Sequence, residues 1–129
     1  MEALVASALM GTDEGAMPRA TNDILGNTLD LLILKALTWG AAHGYGIARW
    51  VEFATEDVLA VGEGTLYPAL HRLEERGLIE ATWGVSENNR RAKYYELTPA
   101  GRRQLRADAA TWKRYAGAVL SALSAPAMP

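Results

Sequence analysis

Cysteine is absent from the 129 residues, which excludes disulfide frameworks, thiolate metal sites and cysteine nucleophiles. No apolar run approaches the roughly 18–20 residues that a membrane-spanning helix needs. Only two histidines occur, His43 and His71, and neither has an obvious second ligand nearby, so no metal site is expected. Nucleotide-binding and hydrolase signatures are missing as well. There is no GxxxxGK[ST] loop and no GxSxG elbow. Gly44-Tyr45-Gly46 and Gly62-Glu63-Gly64 each begin like a dinucleotide fingerprint, but Arg49 and Tyr67 stand where its third glycine belongs. These absences predict a protein with no catalytic residues and no cofactor. The N-terminal ALVASALM stretch is short and follows Glu2 instead of a basic segment, which argues against a secretory signal. A soluble cytoplasmic protein is the expectation.

Positive charge is also in short supply, with a formal net charge of −2, which at first sight disfavours a nucleic-acid partner. Its distribution says more than its sum. Between Arg90 and Arg106 lie six basic residues (Arg90, Arg91, Lys93, Arg102, Arg103 and Arg106) against the single acid Glu96. A local basic patch on a mildly acidic chain binds phosphate with strong salt dependence. Half of the residues are hydrophobic, enough for one modest core and too little for two domains.

The chain is organised around residues 61–79, VGEGTLYPALHRLEERGLI. Leu66, Leu70 and Leu73 fall on one helical stripe, the pattern of a helix packed on a core. Pro68 is placed early, among or next to the first-turn donors that lack a partner anyway, and Gly77 reads as a left-handed C-terminal residue. Thr65, Pro68, His71 and Arg72 project away from the stripe, with Tyr67 at its edge. Small, aromatic and basic groups near the start of a helix suit the DNA major groove.

Residues 1–21 show no sustained period and read as a flexible extension; Met17-Pro18 offers a second start, which would leave residues 1–16 as an upstream extension. Thr28 to Trp39 carries Leu29, Leu32, Ile33, Ala36 and Leu37 at helical spacing, with Leu31 and Leu34 also apolar. A helix greasy on most sides is covered from more than one direction, and in so short a chain the second direction points to another subunit. Gly40 ends it. A second helix, Tyr45 to Ala54, buries Ile47, Trp50, Val51 and Ala54, and with the central helix forms a helix-turn-helix. Leu78 to Trp83 and Ala92 to Thr98 then read as a two-stranded ribbon around GVSENNRR. Thr98-Pro99 supplies an N-cap and a first-turn proline for the last helix. That helix, residues 99–123, places Leu105, Ala109, Trp112, Ala116, Val119 and Leu123 on a heptad-like seam, which predicts self-association. Residues 124–129 read as a flexible tail.

TLDLLILKAL, HGYGIA, GTLYPALHRLEERGLI and RRAKYYELTPAG together resemble the PadR-type winged-helix transcriptional regulators, over about residues 24–123. The single C-terminal helix resembles the family's shorter branch. One departure is LGNT before the first leucine run, where relatives often have one more residue. The resemblance implies a homodimer that binds double-stranded DNA at an inverted-repeat operator, usually as a repressor, with a small and often aromatic effector. It matches Tyr67 and the early central helix to the groove-reading element. It matches Tyr45 to a tyrosine that holds the motif to the DNA backbone. Arg90, Arg91 and Lys93 match the basic wing, and Trp112 matches a dimer-pore tryptophan that stacks on flat ligands.

Plainer readings stand beside these. His71 alone is more often surface decoration, Arg102, Arg103 and Arg106 suit a solvated helix face, and Trp112 on the seam suits a dimer core. Trp39, Trp50 and Trp83 read as core or interface anchors. The expected fold is α+β, mainly α: a winged helix-turn-helix over residues 22–98 with a two-stranded wing, followed by a dimerisation helix over 99–123. The expected function is transcriptional regulation through DNA. The competing class is a winged-helix protein-interaction module that leaves DNA alone, which the acidic balance keeps open.

Overall fold

The computed structural model describes residues 28–129; the expected extension 1–21 and the start at Met17 lie outside them. In chain order the elements are α1 (Thr28–Ala36), a 3-10 turn (Leu37–Trp39), β1 (Ala42–His43), α2 (Gly44–Ala54), α3 (Glu63–Glu75), β2 (Ile79–Val85), β3 (Arg91–Leu97) and α4 (Pro99–Leu123). This is a winged helix-turn-helix with a long C-terminal helix.

Three helices and the base of the sheet enclose the core. α1 contributes Ile33 and Leu34, followed by Leu37 from the 3-10 turn; α2 contributes Ile47 and Ala48; α3 contributes Leu66, Ala69, Leu70 and Leu73. Ile79, Tyr95 and Leu97 close it from the sheet. The leucine stripe of α3 is therefore where its periodicity placed it. The α2 stripe differs in part. Gly44, Ile47, Ala48 and Val51 are buried, Trp50 only packs against the core, and Ala54 is exposed on the last turn.

α3 ends on a two-bond cap. Gly77 has φ +75°, its N–H donates to the Glu74 carbonyl, and the Leu78 N–H donates back to Leu73. Leu73 and Leu78 are both buried, giving the cap the apolar contact that accompanies this geometry. The helix begins at Glu63, so Pro68 is its sixth residue. That is deeper than the first-turn position expected, because Leu66 already donates to the Gly62 carbonyl. Pro68 withdraws the donor that the Gly64 carbonyl would otherwise have.

The sheet has three strands, not two, in the order β1-β3-β2. The added strand is two residues long, with Ala42 opposite Tyr95 and His43 opposite Tyr94. Two residues are too few to show alternation, and the strand exists only because β3 supplies its partner groups. β2 and β3 pair from Ile79↔Leu97 out to Val85↔Arg91, so the wing strands run further than expected and the turn between them shrinks to residues 86–90. The Ser86 N–H donates to the Arg90 carbonyl at 2.7 Å, and the Asn89 N–H to the Ser86 carbonyl at 2.8 Å. Asn89 takes a left-handed φ of +58°, a conformation asparagine tolerates better than most.

α4 starts as its sequence predicts. The Thr98 hydroxyl oxygen accepts from the Gly101 N–H at 3.0 Å, Pro99 follows it, and the same hydroxyl donates to the Gly77 carbonyl at 2.7 Å. Gly101 is buried, and a Cβ there would collide with the Leu78 carbonyl. The first half of α4 packs on its own domain through Ala100 and Leu105. Trp112 Nε1 donates to the Thr28 hydroxyl at 3.3 Å. The last turns project, leaving Val119, Leu120 and Leu123 at 57%, 66% and 79% exposure. The seam is thus divided: Leu105 packs against the core of its own chain, while Val119 and Leu123 are open.

Candidate nucleic-acid interface

An open groove of about 940 Å³ separates α3 from the wing. Tyr67, His71 and Glu74 line one wall, and Trp83, Arg91 and Lys93 the other. Strand alternation explains the second wall. Ile79, Ala81, Trp83 and Val85 share a face of β2, paired with Leu97, Tyr95, Lys93 and Arg91. The face begins as core at Ile79 and Leu97 and, beyond Ala81, becomes the inner surface of the wing. Tyr95, 5% exposed, lines the groove below Lys93, whose Nζ sits 5.6 Å from its ring centre. Burial pushes the Tyr95 phenol above its ordinary value, and the Lys93 ammonium opposes this.

The groove ends on the start of α2, at His43, Gly44 and Tyr45. His43 caps this helix: its Nδ1 accepts from the Gly46 N–H at 3.0 Å, which leaves Nε2 to carry the ring proton in the neutral form. Tyr67 sits directly against Gly44, where a Cβ would lie 2.8 Å from the phenol oxygen. Arg49 donates to the Tyr45 hydroxyl at 3.0 Å, and that bond raises the arginine's pKa. Tyr45 and Arg49 form an exposed i,i+4 pair on the outside of α2.

Of the nine residues expected to contact DNA, six line this groove: Tyr45, Tyr67, His71, Arg90, Arg91 and Lys93. Pro68 is exposed, on the α3 ridge farthest from the leucine stripe. Thr65 and Arg72 lie on the opposite flank. Thr65 borders a smaller apolar pocket of about 230 Å³ with Leu29, Leu32 and Val61. Arg72 Nη2 reaches Asp30 Oδ1 at 3.0 Å, and that carboxylate is buried. Arg72 therefore ties α3 to α1, a fold contact that its outward projection in the sequence did not reveal. Lys93 is also engaged, 3.3 Å from Glu74, and His71 stands 3.2 Å from Glu75. The guanidinium of Arg90 has no acid partner among the described residues.

Sequence reasoning gives His43, which lines the groove, and Arg49, beside Tyr45, no role at the site. His43 looks unpartnered in the sequence, and histidine is not among the residue types that usually mark a helix N-cap, so its capping bond to Gly46 has no sequence signal. Arg49 is four residues beyond Tyr45, a helical spacing that pairs them. Of the two sequence readings for Trp83 and Trp39, core or interface anchor, the core one fails: they are 58% and 70% exposed. Trp112 lies at the junction of α4 and α1 and lines neither cavity described above. Among the described residues no helix is long and apolar enough to cross a membrane.

Comparison with known proteins agrees with this geometry. Over 64 residues the chain is 42% identical to the transcriptional regulator Rv3488 of Mycobacterium tuberculosis, covering 50% of this chain and 59% of that one. It is similar to the structure of a transcriptional regulator from Clostridium thermocellum, with 30% identity and a TM-score of 0.67 over 78% of this chain and 96% of the other. A PadR family transcription regulator from Clostridium difficile matches with 30% identity and a TM-score of 0.64, over 74% and 98% of the two chains. The transcriptional regulator PadR-like family profile matches residues 33–107. Groove, wing and family match converge: the chain belongs to the PadR-like family of transcriptional regulators.

Proposed function

We propose that this transcriptional regulator acts by binding double-stranded DNA as a homodimer and represses its own or a neighbouring gene. The observation that carries the reading is the groove, which gathers Tyr45, Tyr67, His71, Arg90, Arg91 and Lys93 between an exposed helix ridge and a basic wing. The ridge of α3 enters a major groove, one sugar-phosphate strand lies in the channel beside it, and the wing approaches the next minor groove. Tyr45 and Arg49, at the end of the channel, donate to the same strand. Two such units related by a two-fold axis read an inverted repeat with half-sites about 34–36 Å apart.

Dimerisation is assigned to the projecting end of α4, with Val119, Leu120 and Leu123 as its apolar surface. A small, flat effector between subunits would act by changing the spacing of the two α3 helices. In this reading Trp112, at the α1–α4 junction, senses or transmits it.

The test is fluorescence anisotropy with DNA from upstream of the chain's own gene, at low and physiological salt, with unrelated DNA as competitor. Tight binding that resists competitor supports a specific regulator. Binding that disappears with competitor leaves a general basic patch, and the protein-interaction reading takes its place.

A further inference from the structure

Trp83 is a large apolar side chain in an exposed place. It stands on the outer half of β2, beyond the last partly buried residue of its face, Ala81. The guanidinium carbon of Arg91 lies 4.3 Å from the centre of its ring. Among the described residues this is the tightest cation–ring approach; the others span 5.2 Å to 5.8 Å. Sheet register explains the meeting. Trp83 pairs with Lys93 and Arg91 with Val85, so Trp83 and Arg91 are diagonal neighbours on the inner face of the wing, within reach for long side chains.

The three wing cations are thereby in three different states. Lys93 is held by Glu74 at 3.3 Å. Arg90, at the turn, has no acid or ring against its guanidinium among the described residues. Arg91 lies over the Trp83 ring, its guanidinium carbon 4.3 Å from the ring centre, close enough for the two flat groups to stack. Stacking occupies the π faces of a guanidinium and leaves its N–H donors, which point outward in the plane, free to form a two-pronged bond. A long flexible side chain loses rotamer freedom when it makes such a bond, and a stack that orders it beforehand reduces that loss.

We propose that Trp83 is a positioning residue that holds the Arg91 guanidinium for bidentate contact with a backbone phosphate of duplex DNA lying in the α3–wing groove. The inference rests on the DNA-binding reading and assigns that reading's wing contact chiefly to one arginine, set by one tryptophan.

A phosphate contact is independent of sequence, so a fluorescein-labelled duplex of mixed sequence serves as the probe, titrated over a series of salt concentrations. Trp83→Leu, which keeps apolar bulk and removes the π face, weakens binding about threefold to tenfold. It leaves the slope of log affinity against log salt unchanged, because no charge is lost. Trp83→Phe retains most of the affinity. Arg91→Ala lowers the slope by about 1, and Arg91→Lys keeps the slope while losing affinity. In the Arg91→Ala background Trp83→Leu has no further effect, the mark of a residue acting through another.

Wild-type affinity in Trp83→Leu, or an undiminished loss in the Arg91→Ala background, overturns the inference while leaving DNA binding intact. Absence of any salt-dependent binding by the wild type overturns the DNA reading itself and this inference with it. Circular dichroism melts of each variant show whether a loss reflects an unfolded wing. If Trp83→Leu melts early, Trp83→Phe against Arg91→Lys gives the same contrast with the π face and the charge both kept.

Discussion

Arg72 looks like a DNA contact in the sequence and is a fold contact in three dimensions. Its partner Asp30 is 5% exposed, although it belongs to a helix whose other buried residues are apolar. Removing the arginine leaves a buried carboxylate without its counter-charge. Arg72→Ala is expected to destabilise the fold by about 1–3 kcal/mol, less than for a fully buried pair because Arg72 itself is half exposed. Urea unfolding measures it, and an unchanged midpoint would mean that water satisfies Asp30 instead. Tyr95 makes a second prediction at this scale. Its phenol is raised above the ordinary 10.0 by burial, so in alkali the unfolded chain gives up this proton more readily than the folded one. The associated stability is intact below pH 10 and is lost as pH climbs through the folded value. Tyr95→Phe should therefore lose less stability than the wild type between neutral and alkaline pH. Equal losses in urea titrations would assign the effect to other groups.

At the scale of elements, the join between α3, β2 and α4 decides how the wing is set relative to the helix beside it. The Thr98 hydroxyl serves both sides, accepting from Gly101 and donating to Gly77, while the Leu78 carbonyl accepts from the Thr98 N–H at 3.1 Å. Thr98→Ala removes the cap and is expected to cost about 0.5–2 kcal/mol, with Thr98→Ser restoring most of it. Gly101→Ala forces a methyl group against the Leu78 carbonyl, expected to cost about 1–3 kcal/mol as overpacking. Denaturant midpoints should rank Gly101→Ala as the worse of the two. The reverse ranking would show that β2 and α4 separate easily, and the groove with them.

For the whole molecule, the question is what covers the end of α4. This helix is about 37 Å long at 1.5 Å per residue, and its final turns carry Val119, Leu120 and Leu123 into open space. Val119→Asp with Leu123→Asp is expected to convert a dimer to a monomer in sedimentation velocity, with helical circular dichroism retained. A dimer that persists would move the interface elsewhere. Leu105 makes a poor probe of the same question, since it packs against its own core and an aspartate there would damage the fold directly.

The local pattern of residues determined a great deal. The leucine stripe of α3, the cap at Gly77, the Thr98-Pro99 start and the alternation of the wing are short-range features, set by helical and strand periods and by the allowed backbone angles of single residues. They place four helices, a two-stranded wing and six of the residues that line the groove. Tertiary structure decided the rest. A two-residue strand at Ala42–His43 has no pattern of its own and depends on β3. The flank of α3 that meets α1, and so captures Arg72, is invisible to a helical wheel that knows only which side is apolar. Trp83 has the composition of a core residue, but its strand outruns the core by two pairs, and only the register reveals that its neighbour there is Arg91. Periodicity says which way a side chain points along its own element; what waits there depends on distant parts of the chain, and only packing brings those together.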